Sequence, residues 1–119
     1  MLIQVKDATP TQLNWLAAEA KGLRVDMLRN GKPIHWVSTW DGDDDFSIPN
    51  FCFDSTLALS LVREHRIGVS PQSHQWTALR VGPKALITSS TDSILEIAVV
   101  RCFVLSELGE EHDVPENLK

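Results

Sequence analysis

The longest apolar stretch of this sequence lies near its C-terminal end and repeats at helical spacing. One stripe of the predicted helix contains Ile94, Ile97, Ala98, Leu105 and Leu108. Other apolar residues occupy most of its remaining faces, and we expect it to be capped by Ser90, Thr91 or Asp92 and to end at Gly109. Such a helix lies either at the centre of a domain or between a core and a partner. We therefore expect a central helix and, as a further hypothesis, a homodimer through it.

Two shorter helices are predicted from capping signals. Thr9 and Gln12 have the spacing of a capping box before an apolar stripe. Asp54 or Ser55 can cap a second helix that runs to about His65. With the long C-terminal helix, these make about three helices.

Between the helices, β-favouring runs alternate with turn residues. The runs are Leu2–Lys6, Leu23–Leu28, Pro33–Trp40, Ile67–Ser70 and Gln75–Val81. Asn30-Gly31 predicts one hairpin, Pro71-Gln72-Ser73-His74 predicts another, and 41–50 is expected to be a loop. The fold class is therefore α+β, with a small antiparallel sheet of hairpins packed against the helices. We expect a single domain over residues 1–112 and a short acidic C-terminal tail over residues 113–119.

Composition limits the classes of partner. A formal net charge of −5 makes nucleic acid an unlikely partner, because binding it requires clustered Lys and Arg. The stretch Ile97–Leu105 contains Arg101 and is too short to span a bilayer, so no membrane partner is expected. Met1–Lys6 does not begin a signal peptide, and Cys52 and Cys102 have no metal-ligand spacing. These features favour a reduced, cytoplasmic location.

The sequence contains no recognisable catalytic or metal-binding motif. Asp41, Asp43 and Asp45 alternate as in a calcium loop, but Phe46 and Cys52 stand where such a loop needs Gly and Glu. The four histidines have no zinc spacing, and no Walker loop, dinucleotide fingerprint or nucleophile elbow is present. We therefore expect no enzyme, no metal and no cofactor.

The candidate ligand- or partner-binding residues are Trp36, Trp40, Trp76, Arg80 and Arg101. The three tryptophans fall on predicted strands, Trp36 and Trp40 on one face, and either pack on helices or form a platform for a planar ligand or peptide. Arg80 and Lys84 follow Trp76 and suit a phosphate-bearing ligand. Arg101 interrupts the apolar helix, so it either pairs with an acidic residue of the domain or meets a ligand or partner.

Four segments, in order and spacing, resemble a family of small phage proteins. They are Leu13–Gly22, Ile67–Gln72, Gln75–Ala78 and Arg101–Gly109, and an acidic stretch with Val114-Pro115 follows them. The chain resembles the NinX-type family of phage and prophage proteins of unknown function over most of its length. It departs from that family at Asp54-Ser55-Thr56, where members tend to have Pro-Ser-Thr. The resemblance implies a phage or prophage origin and the cytoplasm of a bacterial host, and it brings no catalytic residues.

Two functions follow as expectations. The first is a non-enzymatic accessory protein that binds a host or phage protein and modulates host metabolism or a host defence. The alternative is a protein that binds or sequesters a small, nucleotide-like ligand. That alternative requires Trp36, Trp40, Trp76, Arg80 and Arg101 to converge on one cleft.

Overall fold

The computed structural model describes residues 1–82 and 87–119, and the fold is α+β. The helices are α1 (Pro10–Ala20), α2 (Ser55–His65) and α3 (Leu95–Leu108), with a short 3-10 helix at Val5–Asp7. The strands are β1 (Leu2–Gln4), β2 (Arg24–Met27), β3 (Pro33–Thr39), β4 (Gly42–Ser47), β5 (Gly68–Gln72), β6 (Gln75–Val81), β7 (Ile87–Asp92) and β8 (Glu111–Asp113).

The strands form three small antiparallel sheets. β1 pairs with β8, while the orders β2-β3-β4 and β5-β6-β7 define two three-stranded sheets. The β2–β3 and β5–β6 hairpins confirm the two turns predicted from sequence. The β5–β6–β7 sheet packs on α3 through β6 and β7, whereas the β2–β3–β4 sheet meets α1 through β2.

α3 is the centre of the core, as the apolar pattern predicts. Every residue from Ile97 to Val104 except Arg101 is buried, among neighbours from α1, α2, β6 and β7. The large apolar residues that are exposed in the described chain include none from α3. Ile94 at the N-cap is 40% exposed, and Leu105 and Leu108 are only partly buried, so the homodimer through this helix stays a prediction.

The helix starts are predicted well for α1 and α2 and wrongly for α3. Thr9 and Gln12 form the full capping box of α1, and the Asp54 carboxylate caps α2. The expected caps of α3, Ser90 to Asp92, instead belong to β7, and Ile94 is the N-cap residue. Pairing of β7 with β6 reaches Asp92, so these polar residues are used by the sheet before the helix begins.

The segment 41–50 is not the loop that was expected. Its residues Gly42–Ser47 form β4, which pairs with β3 from Ile34 to Thr39. The misleading signal is composition, because aspartate is depleted in strands. Pairing along a neighbouring strand outweighs that propensity here.

The segment expected as an acidic tail, 113–119, is anchored to the domain. Val114 and Leu118 are buried, and Val114 exchanges backbone hydrogen bonds with Met1. The Gln12 side chain donates to the Leu118 carbonyl at 3.1 Å. The two chain ends are therefore held together beside the start of α1.

Candidate functional site

The tip of the β3–β4 hairpin carries the most exposed tryptophan of the chain. Trp40 and Asp41 form the two-residue connection, and Trp40 is 95% exposed. The Thr39 hydroxyl donates to the Gly42 carbonyl at 2.7 Å, and Gly42 has φ +126°, where glycine is favoured. The turn therefore fixes the backbone of Trp40 while its indole ring faces solvent.

One face of this sheet exposes apolar side chains close to the tip. Phe46 lies opposite His35, and Val37 lies opposite Asp44, so the four side chains share one face. Phe46 is 50% exposed and Val37 is 38% exposed, and the rings of Phe46 and His35 are 5.9 Å apart between centroids. We name these four residues the distal face. It combines apolar surface with one carboxylate.

On the opposite face of the same sheet, polar groups near the tip bind one another. Arg24 donates to Asp43 at 2.9 Å, and the Ser38 hydroxyl donates to the same carboxylate at 3.0 Å. Both bonds lower the pKa of Asp43 below its usual value, and the bond from Arg24 has the larger effect. The Trp36 indole N–H donates to Asp26 at 3.2 Å. The sheet thus has exposed apolar groups on one face and, on the other, bonded polar groups near the tip and the buried Ile34 towards the base.

The residues predicted from sequence fall on three elements, namely the β3–β4 hairpin, β6 and α3. Trp36 belongs to β3, but the expectation that it shares a strand face with Trp40 is wrong, because β3 ends at Thr39 and Trp40 lies in the turn. Trp76 and Arg80 belong to β6 and Arg101 to α3. Lys84 lies outside the described residues. The structure therefore separates Trp36 and Trp40 from the other three candidates.

Arg101 is held inside the domain by three partners. Its Nη1 donates to Asp92 at 3.1 Å, its Nη2 to the Ala8 carbonyl at 2.9 Å, and its Nε to the Val5 carbonyl at 3.3 Å. The side chain of Arg101 is 13% exposed. All three guanidinium nitrogens are engaged within the chain, which supports the ion-pair interpretation. The arginine ties α3 to β7 and to the N-terminal segment.

Arg80 and Trp76 also connect the β5–β6–β7 sheet to the core. Arg80 Nη1 donates to the Ser106 hydroxyl at 2.7 Å and to Glu107 at 2.8 Å, and its side chain is 11% exposed. Trp76 is partly buried against the core and lies opposite Asp92 in the β6–β7 pair. Packing is therefore the better interpretation for Trp76, and a contact with α3 for Arg80.

Sequence reasoning missed Val37, Asp44 and Phe46 as parts of a surface. They were missed because the segment 41–50 was interpreted as a loop. The Asp41-Gly42 dipeptide, which is a strong hairpin signal after a β-favouring run, could have revealed the fold-back. With β4 in place, the alternation of side chains puts all three residues on one face.

A separate groove lies between α1 and the base of the β3–β4 hairpin. Its volume is about 410 Å³, within the range of small-molecule sites. Its apolar walls include Pro10, Ile48 and Phe53, and Lys32 provides a cationic group. None of the five residues predicted from sequence lines it. The groove can accept an apolar molecule with an acidic group.

Metal and thiol chemistry find little support in the described structure. Across residues 1–82 and 87–119, no three His, Cys, Asp or Glu side chains are grouped to hold a metal ion. Burial raises the pKa of Cys52 to about 12 and that of Cys102 to about 11, so both thiols stay protonated at neutral pH. Within the same ranges, no helix has the length and apolarity needed to cross a membrane.

Comparison of the chain with protein-family models and with curated proteins finds no match. Among the exposed surfaces of the described residues, the tip is distinguished by Trp40, which at 95% is the most exposed of the large apolar side chains.

Proposed function

We propose that this protein is a non-enzymatic phage or prophage accessory protein that binds a host or phage protein through the β3–β4 hairpin. The observation that carries the proposal is Trp40, 95% exposed at the end of a defined turn. Tryptophan is costly to leave in water and is enriched among residues that dominate binding energy. Phe46 and Val37 extend the apolar surface along the sheet.

The phage origin rests on the sequence resemblance alone, and the bacterial cytoplasm rests on that resemblance and on the reduced location that the cysteines and the N-terminal residues favour. Binding of this kind would modulate host metabolism or a host defence by occupying a surface of the partner. A homodimer through α3 stays a separate prediction and has no part in the proposal, because most apolar side chains of that helix are buried inside the domain.

A copurification experiment tests the proposal. Tagged wild-type protein, a Trp40→Ser variant and a Leu59→Ser variant are isolated from bacteria that carry the phage or prophage. Leu59 is a matched control, since it is 47% exposed on α2, away from the hairpin. We expect a partner that accompanies the wild type and the Leu59 variant and is lost with Trp40→Ser. A partner retained equally by all three proteins would contradict the proposal.

The second candidate function, binding of a small ligand, is favoured by the groove between α1 and the hairpin base. Its lining of apolar walls and Lys32 suits an organic anion rather than the tryptophan platform expected from sequence. A native mass spectrum of protein isolated from its host distinguishes the two candidates. Added mass of a few hundred daltons that disappears in a Phe53→Ser variant would favour the ligand, and an unmodified mass would disfavour it.

A further inference from the structure

The outer edge of β4 is open. β4 is the last strand in the order β2-β3-β4, and β3 is its one partner among the described strands. All six of its residues are exposed. A strand edge of this kind presents N–H and C=O groups that another strand can pair with.

The edge of β5 offers a contrast within the same molecule. β5 is also a terminal strand of its sheet, and all its residues are exposed. It contains Pro71, which has no N–H, and a proline in an edge strand has its nitrogen on the solvent side. That edge is therefore interrupted. β4 contains no proline, so its row of backbone groups is continuous.

The charge of β4 selects what can pair with it. Asp43, Asp44 and Asp45 are consecutive, and Asp43 is bonded to Arg24. A second copy of β4 would bring aspartates opposite aspartates, and like charges directly opposite are destabilising. A strand with lysine or arginine at these positions would instead form opposite-charge pairs. The edge of β4 therefore disfavours pairing with a second copy of β4 and favours pairing with a basic strand.

We propose that β4 accepts an extended basic segment of a partner protein as a fourth strand of the β2–β3–β4 sheet. This inference rests on the proposed function and specifies its partner. Opposite Asp44 and Asp45 the segment carries Lys or Arg, and opposite Phe46 it carries an apolar residue. Main-chain hydrogen bonds supply affinity and the alternating side chains supply specificity. The apolar residue would extend the surface that Phe46 and Val37 present beside Trp40.

A synthetic peptide probes this edge. The sequence Thr-Val-Lys-Lys-Lys-Thr, with blocked ends, matches the six residues of β4 in an antiparallel register, with its valine opposite Phe46. It is titrated into the full-length ¹⁵N-labelled protein while amide resonances are followed. We expect shifts concentrated at the amides of β4 and slower hydrogen exchange there. We also expect the affinity to fall as salt is raised, because the charges are exposed.

Three controls decide between strand addition and a diffuse charge effect. A peptide N-methylated at every residue keeps its side chains but has no backbone donors on either edge, and we expect it not to bind. A peptide with Glu in place of Lys should also fail. The protein variant Asp44→Asn/Asp45→Asn should bind the basic peptide roughly tenfold more weakly. Equal binding of the N-methylated peptide, shifts concentrated at β5, or no binding at millimolar peptide would each overturn the inference.

The peptide experiment and the copurification experiment fail independently. If Trp40→Ser abolishes capture of a partner but the peptide leaves β4 unchanged, the partner binds the hairpin without adding a strand. If the peptide adds to β4 but Trp40→Ser has no effect on capture, the edge is competent and the proposed role of the tip is wrong.

Discussion

The two three-stranded sheets of this protein contribute differently to the core, although both expose apolar side chains: Val69, Leu79, Val81 and Ile87 in one, and Val37 and Phe46 in the other. The β5–β6–β7 sheet packs on α3, and its central Ala78 is fully buried in the core. In the described β2–β3–β4 sheet, Ile34 is the one buried apolar residue and stands outside the main core cluster. The molecule is elongated, 47 Å long against 29 and 28 Å in the other directions. We infer that the first sheet serves stability and the second serves recognition.

The largest expected difference in stability between the two regions is seen when one phenylalanine in each is replaced by alanine. Phe103→Ala should lower the free energy of unfolding by about 3–5 kcal/mol, because Phe103 is completely buried and a cavity would remain. Phe46→Ala should cost at most about 1 kcal/mol, because half of that residue is already exposed. Urea unfolding monitored by circular dichroism measures both. Comparable losses would mean that the β2–β3–β4 sheet contributes to the core after all.

The second difference concerns arginine. Arg101→Ala should lower the free energy of unfolding by about 3 kcal/mol, because it leaves the mostly buried Asp92 carboxylate and two carbonyls without their donor. Arg24→Ala should leave the urea midpoint nearly unchanged, because the Arg24–Asp43 pair is more than half exposed on the arginine side and water screens it. An unaffected midpoint for Arg101→Ala would refute its structural role.

The same contrast explains which features were predictable from sequence. The central helix was predictable because seven of its residues are buried. Burial on several faces requires apolar residues at nearly every position, and that continuous pattern is visible in the sequence. The α1 capping box was predicted because its chemistry is local, three residues apart. Arg101 was correctly recognised as an anomaly, but its partners Val5, Ala8 and Asp92 are distant in sequence or lie on another element, and no local pattern identifies them.

The surface formed by Trp40 and the distal face was only partly predictable from the sequence. Trp40 was selected as an aromatic residue on a strand, yet its exposure depends on the turn that closes directly after β3. Phe46 and Asp44 join it only through the pairing of β4 with β3. A strand with three consecutive aspartates opposes its own propensity, so its formation depends on the neighbouring strand. Composition alone cannot show that neighbour.

A smaller effect concerns pH and is confined to the core. Burial raises the pKa of Cys52 to about 12 and of Cys102 to about 11, whereas an exposed thiol of the unfolded chain ionises near its ordinary pKa of 9.0. Above that pH the unfolded chain releases protons that the folded chain keeps, so the free energy of unfolding should decline as pH rises from about 9 to 11. Urea midpoints at several pH values measure the decline. The Cys52→Ala/Cys102→Ala variant should show a shallower one, and an identical slope would exclude the thiols as its cause.

The smallest expected effect on stability is that of Trp40→Ser, and it is the sharpest test of the division between the two sheets. Trp40 is 95% exposed, so the free energy of unfolding should change by less than about 0.5 kcal/mol. In the wild type, acrylamide should quench a readily accessible component of tryptophan emission, and the variant should lose most of that component, because Trp15 is buried and Trp36 and Trp76 are partly buried. A loss of more than about 1 kcal/mol would show that the indole packs on the protein. Unchanged stability combined with loss of a partner would instead show that the hairpin tip is maintained for binding, since removing it costs the fold nothing.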